Sequence, residues 1–142
     1  IKSSLLFGAC VGAIAISASA QQGVVVRIGM AGPMTGPQAH YGKDSERGAQ
    51  LAIDDLNAKG VTIGGKKVRW QLMPEDDAAD PRQATAVAQK YVDMKINGVI
   101  GHLNSGATLP ASKVYNDAGI PMVTPSATNP KITQQGFKYV FR

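Results

Sequence analysis

Val24-Val25-Val26-Arg27-Ile28-Gly29-Met30, followed closely by Gly32-Pro33-Met34-Thr35-Gly36-Pro37-Gln38-Ala39-His40-Tyr41-Gly42, is the stretch whose reading decides the fold. A short β-branched apolar run bounded by Gly and Pro reads as a buried strand. The Gly- and Pro-rich segment after it reads as a loop. A helix then fits residues 43–59, because Ala49, Ala52, Ile53 and Leu56 fall at i, i+3, i+4 and i+7, and Gly60 is a natural stop.

The same rhythm continues along the chain. Residues 61–66 read as a small hairpin or turn. Residues 68–73 alternate Val68, Trp70 and Leu72 with Arg69 and Gln71, giving a second main strand with one more exposed face. Asp80-Pro81-Arg82-Gln83 opens a second helix, with Asp at N-cap, Pro at N1 and Gln at N3. Its buried stripe is Ala84, Val87, Ala88 and Tyr91. Gly98-Val99-Ile100-Gly101 is a short third strand, and a third helix is expected from about Thr108 to Ala118. Ile120-Pro121-Met122-Val123-Thr124 reads as a fourth strand, and Phe137-Lys138-Tyr139-Val140-Phe141 as one more.

Strands alternating with helices imply an α/β fold: a Rossmann-like parallel sheet with right-handed crossovers and helices on both faces. Ligands of such sheets bind beyond the carboxyl ends of the strands, where strand order reverses. That rule selects residues 32–42, 102–108 and 125–130 as the functional loops.

The N-terminal residues 1–20 read differently. After Lys2, residues 5–16 are almost unbroken apolar sequence, ending in Ser17-Ala18-Ser19-Ala20 and polar Gln21-Gln22. This is the pattern of a secretory signal peptide cleaved after Ala20, and the run is shorter than a membrane span of about 20 residues. Cys10 lies inside the run with apolar residues still to follow and with Phe7 where a lipobox has Leu, which argues against lipidation there. It is the only cysteine of 142 residues, so a disulfide framework is excluded. The remaining residues 21–142 then form one lobe.

Net charge is +5, 44% of residues are hydrophobic and 18% charged, an ordinary globular balance. The basic residues are scattered and only Lys66-Lys67 with Arg69 cluster, so a nucleic-acid stripe is not present. Gly60-x4-Gly65-Lys66-Lys67 lacks the Ser/Thr of a phosphate loop and precedes a strand instead of a helix. Glu75, Asp76, Asp77 and Asp80 lack calcium-loop spacing, and His40 and His102 are too few for zinc, so no cofactor or metal is expected. Ser105 with His102 three residues earlier suggests a hydrolase, but the G-x-S-x-G elbow fails at Leu103. Ser105-Gly106-Ala107-Thr108 at a helix start presents N–H groups and hydroxyls suited to a carboxylate; simple capping by Ser105 or Thr108 accounts for the residues equally well. Ser126-Ala127-Thr128 offers a second such group, and Tyr41 an apolar wall with a polar tip.

Gly32-Pro33-Met34-Thr35-Gly36-Pro37 with Tyr41-Gly42, Asp76-Asp77-Ala78-Ala79-Asp80-Pro81, Gly101-His102-Leu103-Asn104-Ser105 and Thr124-Pro125-Ser126-Ala127-Thr128 together resemble the leucine/isoleucine/valine-binding protein family. These are periplasmic solute-binding proteins of branched-chain amino-acid ABC transporters. The resemblance implies the first lobe of a type I periplasmic-binding fold, whose second lobe is absent from this chain. It implies a monomeric, non-enzymatic protein that passes an amino acid to a permease in the inner membrane. It places Ser105 and Thr128 on the ligand carboxylate, Ser126 and Thr128 on its ammonium, and Tyr41 beside its side chain. Well-known members join by a disulfide the positions that here are Ala79 and Asn104, and carry Ala where this chain has Ser126. The first departure removes a staple beside the site, and Ser126 leaves room for a different solute, as in a same-fold sensor of an amide, urea or aromatic acid.

Overall fold

The computed structural model describes residues 23–142, so the expected signal peptide and Cys10 lie outside the described residues. The elements run β1 (Val24–Gly32), α1 (Ala39–Lys59), β2 (Thr62–Ile63), β3 (Lys66–Asp76), α2 (Pro81–Asp93), β4 (Gly98–Gly101), α3 (Ser105–Asp117), β5 (Met122–Val123), α4 (Lys131–Gln134) and β6 (Val140–Phe141). They form one six-stranded sheet in the order β2-β3-β1-β4-β5-β6. All pairs are parallel except the β2–β3 hairpin. Leaving that hairpin strand aside, the order is the doubly wound one that starts at the second strand, crosses the first and then proceeds outward.

Crossover handedness assigns the helices to faces. The step from β1 to β3 goes one way along the sheet, and the steps from β3 to β4 and β5 go the other, so right-handed connections put α1 opposite α2 and α3. The packing agrees. Ala84, Val87, Ala88 and Tyr91 of α2 and Ala107, Ala111 and Tyr115 of α3 form one buried cluster with Ala31, Val99, Met122 and Val140 of the strands. The α2 stripe is the one expected from its spacing.

Two contacts show how tightly these layers meet. A Cβ on Gly29 would lie 2.7 Å from the Tyr91 ring. The Tyr91 hydroxyl accepts the Met30 N–H and stands within hydrogen-bonding distance of the Met30 and Met73 carbonyls. On the other face, Asn57 of α1 clasps β3: its Oδ1 accepts the Trp70 N–H at 2.8 Å and its Nδ2 donates to the Trp70 carbonyl at 3.0 Å.

Several boundaries differ from expectation. α1 begins at Ala39 instead of Lys43, because Gly42 lets the helix press against the Pro33 carbonyl, where any Cβ would collide. α3 begins at Ser105 instead of Thr108. Strands β1 and β3 are longer than their apolar runs, since parallel pairing continues through Gly32 and Asp76. The Asp80 cap forms as expected, accepting N–H groups of Arg82 and Gln83 at 2.8 Å, worth about 1 kcal/mol. Gln83 does not close the box; its side chain reaches the Asp76 carbonyl instead.

Candidate functional site

β1, β4 and β5 end side by side, and the helices that follow β1 and β4 diverge to opposite faces. Their loops therefore enclose a crevice at the point where strand order reverses. A concave surface of about 410 Å³ lies there, lined by Gln38, Tyr41, Asp44, Ser45, Leu103, Asn104 and Ser126. Tyr41 sits in the first turn of α1, 57% exposed, with its ring beside that of His40. The earlier helix start carries it, with Gln38 and Ser45, onto the crevice wall.

Of the four residues singled out from sequence, Tyr41 and Ser126 line this surface. Ser126 donates its hydroxyl to the Leu103 carbonyl at 2.8 Å, joining the β5 loop to the β4 loop. Ser105 and Thr128 stand beside the surface without lining it. The Ser105 hydroxyl oxygen accepts the Asn129 N–H at 3.2 Å. Thr128 is exposed, and its carbonyl accepts from Arg142 at 3.2 Å. Gln38, Leu103 and Asn104 fall within the loops selected from sequence without being singled out there, and Asp44 and Ser45 lie in the expected helix, where nothing local marks them as facing a crevice.

Capping does not occupy the start of α3. Asn104 is its N-cap but makes no capping bond with its side chain. Its Nδ2 donates to Gln38 Oε1 at 2.7 Å instead, while its Oδ1 is buried without a partner. Thr108 does not cap either, because its hydroxyl meets the carbonyls of His102 and Asn104. The N–H groups of Ala107 and Thr108 bond back to the Asn104 carbonyl, which leaves those of Ser105 and Gly106 available to an anion.

The acidic run of β3 holds the loops and gathers no metal site; no cluster of three or more potential ligands exists among the described residues. Asp76 accepts the Met34 N–H at 2.7 Å, the Thr35 hydroxyl, and the Ala78 N–H at 2.8 Å. Burial alone would raise its pKa, but the bonds from Thr35, Met34 and Ala78 outweigh it and hold the carboxyl below the usual range. Glu75 pairs with Lys90 of α2. Asp77, fully buried, lies 2.7 Å from His102 Nδ1, and His102 Nε2 lies 3.0 Å from the Tyr115 hydroxyl. Burial first, with Tyr91 and Asp77 adding, pushes the Tyr115 hydroxyl above the ordinary tyrosine range. Both ring nitrogens of His102 are thus engaged below the site, and no bond joins it to Ser105. The nucleophile–base pair that a serine hydrolase needs is not assembled.

A doubly wound lobe with a loop-lined crevice at its switch point and an uncapped helix start has the geometry at which sheets of this class hold small-molecule ligands. Residues 25–142 match the periplasmic binding protein family, and the chain belongs to it. It is 44% identical over 144 residues to the Leu/Ile/Val-binding protein of Escherichia coli K12, covering 100% of this chain and 37% of that protein. It is 48% identical over 117 residues to the leucine-specific-binding protein of Salmonella typhimurium, covering 82% and 31% respectively. Among solved structures it resembles a branched-chain amino acid transporter substrate-binding protein from Streptococcus pneumoniae in complex with isoleucine. That match has a TM-score of 0.72 and 34% identity, covering 81% of this chain and 32% of the other. The chain therefore spans about a third of the length of the relatives it matches. No helix among the described residues is long and apolar enough to cross a membrane.

Proposed function

We propose that residues 21–142 are the N-terminal ligand-binding lobe of an exported, periplasmic, monomeric solute-binding protein, with residues 1–20 its signal peptide. It captures an amino acid of the branched-chain class and hands it to the permease of an ABC transporter, without covalent chemistry. The observation that supports this best is the crevice itself. An uncapped helix start offers Ser105 and Gly106 N–H groups for a carboxylate, beside an apolar wall of Tyr41 and Leu103 for a side chain. In this reading Ser105 and Thr128 bind the carboxylate, Ser126 and Thr128 the ammonium, and Tyr41 packs on the side chain.

The test is titration of leucine, isoleucine and valine into the protein expressed from Gln21 to its natural stop codon. A solute at about one hundred times its dissociation constant adds roughly 2.7 kcal/mol to stability. Ser105→Ala and Thr128→Val should each weaken binding by about tenfold or more while leaving the solute-free melting temperature nearly unchanged. Unchanged affinity in both variants would refute the site assignment, and no stabilisation by any of the three amino acids would refute the solute class.

A further inference from the structure

We propose that Asp77, His102 and Tyr115 form a buried positioning relay for the solute site, holding the ends of β1, β3, β4 and β5 at the spacing that binding needs. This rests on the functional reading above and adds to it three residues that touch no solute. All three side chains are completely buried. Asp77 is tied to the end of β1 through its own N–H, which donates to the Gly32 carbonyl at 3.1 Å. It is tied to the following turn through the Asp80 N–H on its carbonyl and the Ala79 N–H on Oδ1. Its other oxygen, Oδ2, faces His102 Nδ1 at 2.7 Å.

His102 passes the constraint onward. Its carbonyl accepts the Thr108 hydroxyl at 3.1 Å and the Thr124 hydroxyl at 2.7 Å, so α3 and the end of β5 hang on one backbone oxygen. Thr124 Oγ1 in turn accepts the Ala127 N–H, next to Ser126. The residue after His102 receives the Ser126 hydroxyl, and Ser105 is only three residues further on. A carboxylate accepts only, so Nδ1 carries a proton toward Asp77. Nε2 is then satisfied by the Tyr115 hydroxyl, as acceptor when the ring is neutral or as donor when it is charged. The ring is fixed at both ends, and so is the backbone it belongs to.

Tyr91 supplies the control. It is also a fully buried tyrosine with hydrogen bonds, but its partners are backbone groups inside the strands, at Met30 of β1 and Met73 of β3, and none belongs to a loop. Tyr115→Phe and His102→Asn should each weaken solute binding by about tenfold, whereas Tyr91→Phe should lower the melting temperature at least as much and leave affinity within about twofold. Affinity losses that merely follow the melting temperature across all three variants would overturn the proposal. A second readout needs no solute. The backbone amide resonances of Ser105, Gly106 and Ser126 should shift in Tyr115→Phe and stay in place in Tyr91→Phe; the reverse, or no shift in either, would overturn it. If Tyr115→Phe fails to fold, the imidazole nitrogen spectrum of the unsubstituted protein decides: protonated Nδ1 throughout supports the relay, and an even tautomer mixture refutes it. Absence of amino-acid binding by the unsubstituted protein would retire the functional reading alone, since the amide and imidazole readouts test the relay independently of any solute.

Discussion

The two faces of the sheet are finished to different degrees. Under α2 and α3 the side chains are buried, and the phenolic and imidazole groups all have partners. Among the described residues, the opposite face carries α1 alone. Beside α1, an apolar groove of about 370 Å³ runs over β1, β4 and β5, walled by residues such as Ile28, Ile53, Trp70, Ile100 and Val123. Val123 is 50% exposed there, and the Trp70 Nε1 is buried without a partner. The difference teaches that alternation alone does not fix burial. Met122 and Val123 are adjacent apolar residues of one strand, yet the first is fully buried and the second half exposed.

If the comparison is right, equal truncations cost unequal amounts. Tyr91→Ala removes a ring packed against Gly29 and strands the Met30 N–H and two carbonyls that met its hydroxyl. It should cost about 3–5 kcal/mol, a large part of a domain's total stability. Ile53→Ala on α1 should fall near the low end of its class, about 2 kcal/mol, because its neighbours border an open groove and can relax. Urea unfolding of both variants checks this. Equal losses would show that the two faces contribute alike.

Gly42→Ala sharpens the contrast from the other side. On the thin face, the α1 start rests against the Pro33 carbonyl with no room for a methyl group. Overpacking there should cost about 1–3 kcal/mol and shift Tyr41 off the crevice wall. A thermal melt together with tyrosine fluorescence would report both effects. A neutral result would mean that α1 can slide freely, and the groove beside it would lose its fixed shape.

The same contrast explains what was legible in the sequence. The α2 stripe, the Asp80 cap and the Gly60 stop were readable because local spacing and cap chemistry agree with the packing. The helix starts were not. Ala39 and Ser105 begin their helices without a side-chain cap, so the usual signal is missing, and what orders them is distant: Gly42 against Pro33, and His102 against Asp77. The crevice was located from topology, and Tyr41 and Ser126 were found on it. Gln38 and Asn104 were not, because their 2.7 Å bond joins residues 66 positions apart. For the same reason the acidic run showed its cap at Asp80 but not the tether at Asp76 or the buried partner of Asp77.

The tether at Asp76 gives a smaller, pH-dependent effect. Its folded pKa lies below the ordinary 3.8, so its contribution is complete above about 3.8 and fades as pH falls through the depressed value. On acidification, the loop before α1 should release the Met34 N–H before the α2 and α3 face loses structure. Amide hydrogen exchange followed downward in pH from above the ordinary 3.8 would show it. Asp76→Asn should flatten that part of the profile, and an unchanged profile would place the acid-sensitive step elsewhere.

The smallest effect is expected in the groove and at the outer edge of α1. Leu51 is 66% exposed and Val123 half exposed, so Leu51→Gln and Val123→Thr should each change stability by no more than about 0.5 kcal/mol. Paired in one variant they should still add, since they lie on different elements with no shared hydrogen-bond partner. Val123→Thr is the more telling of the two, because a hydroxyl placed on the groove floor meets water only if the groove is open in solution. A loss well above 1 kcal/mol in urea unfolding would mean that the floor is dry and covered, and the two faces would then differ in what covers them, not in whether they are covered.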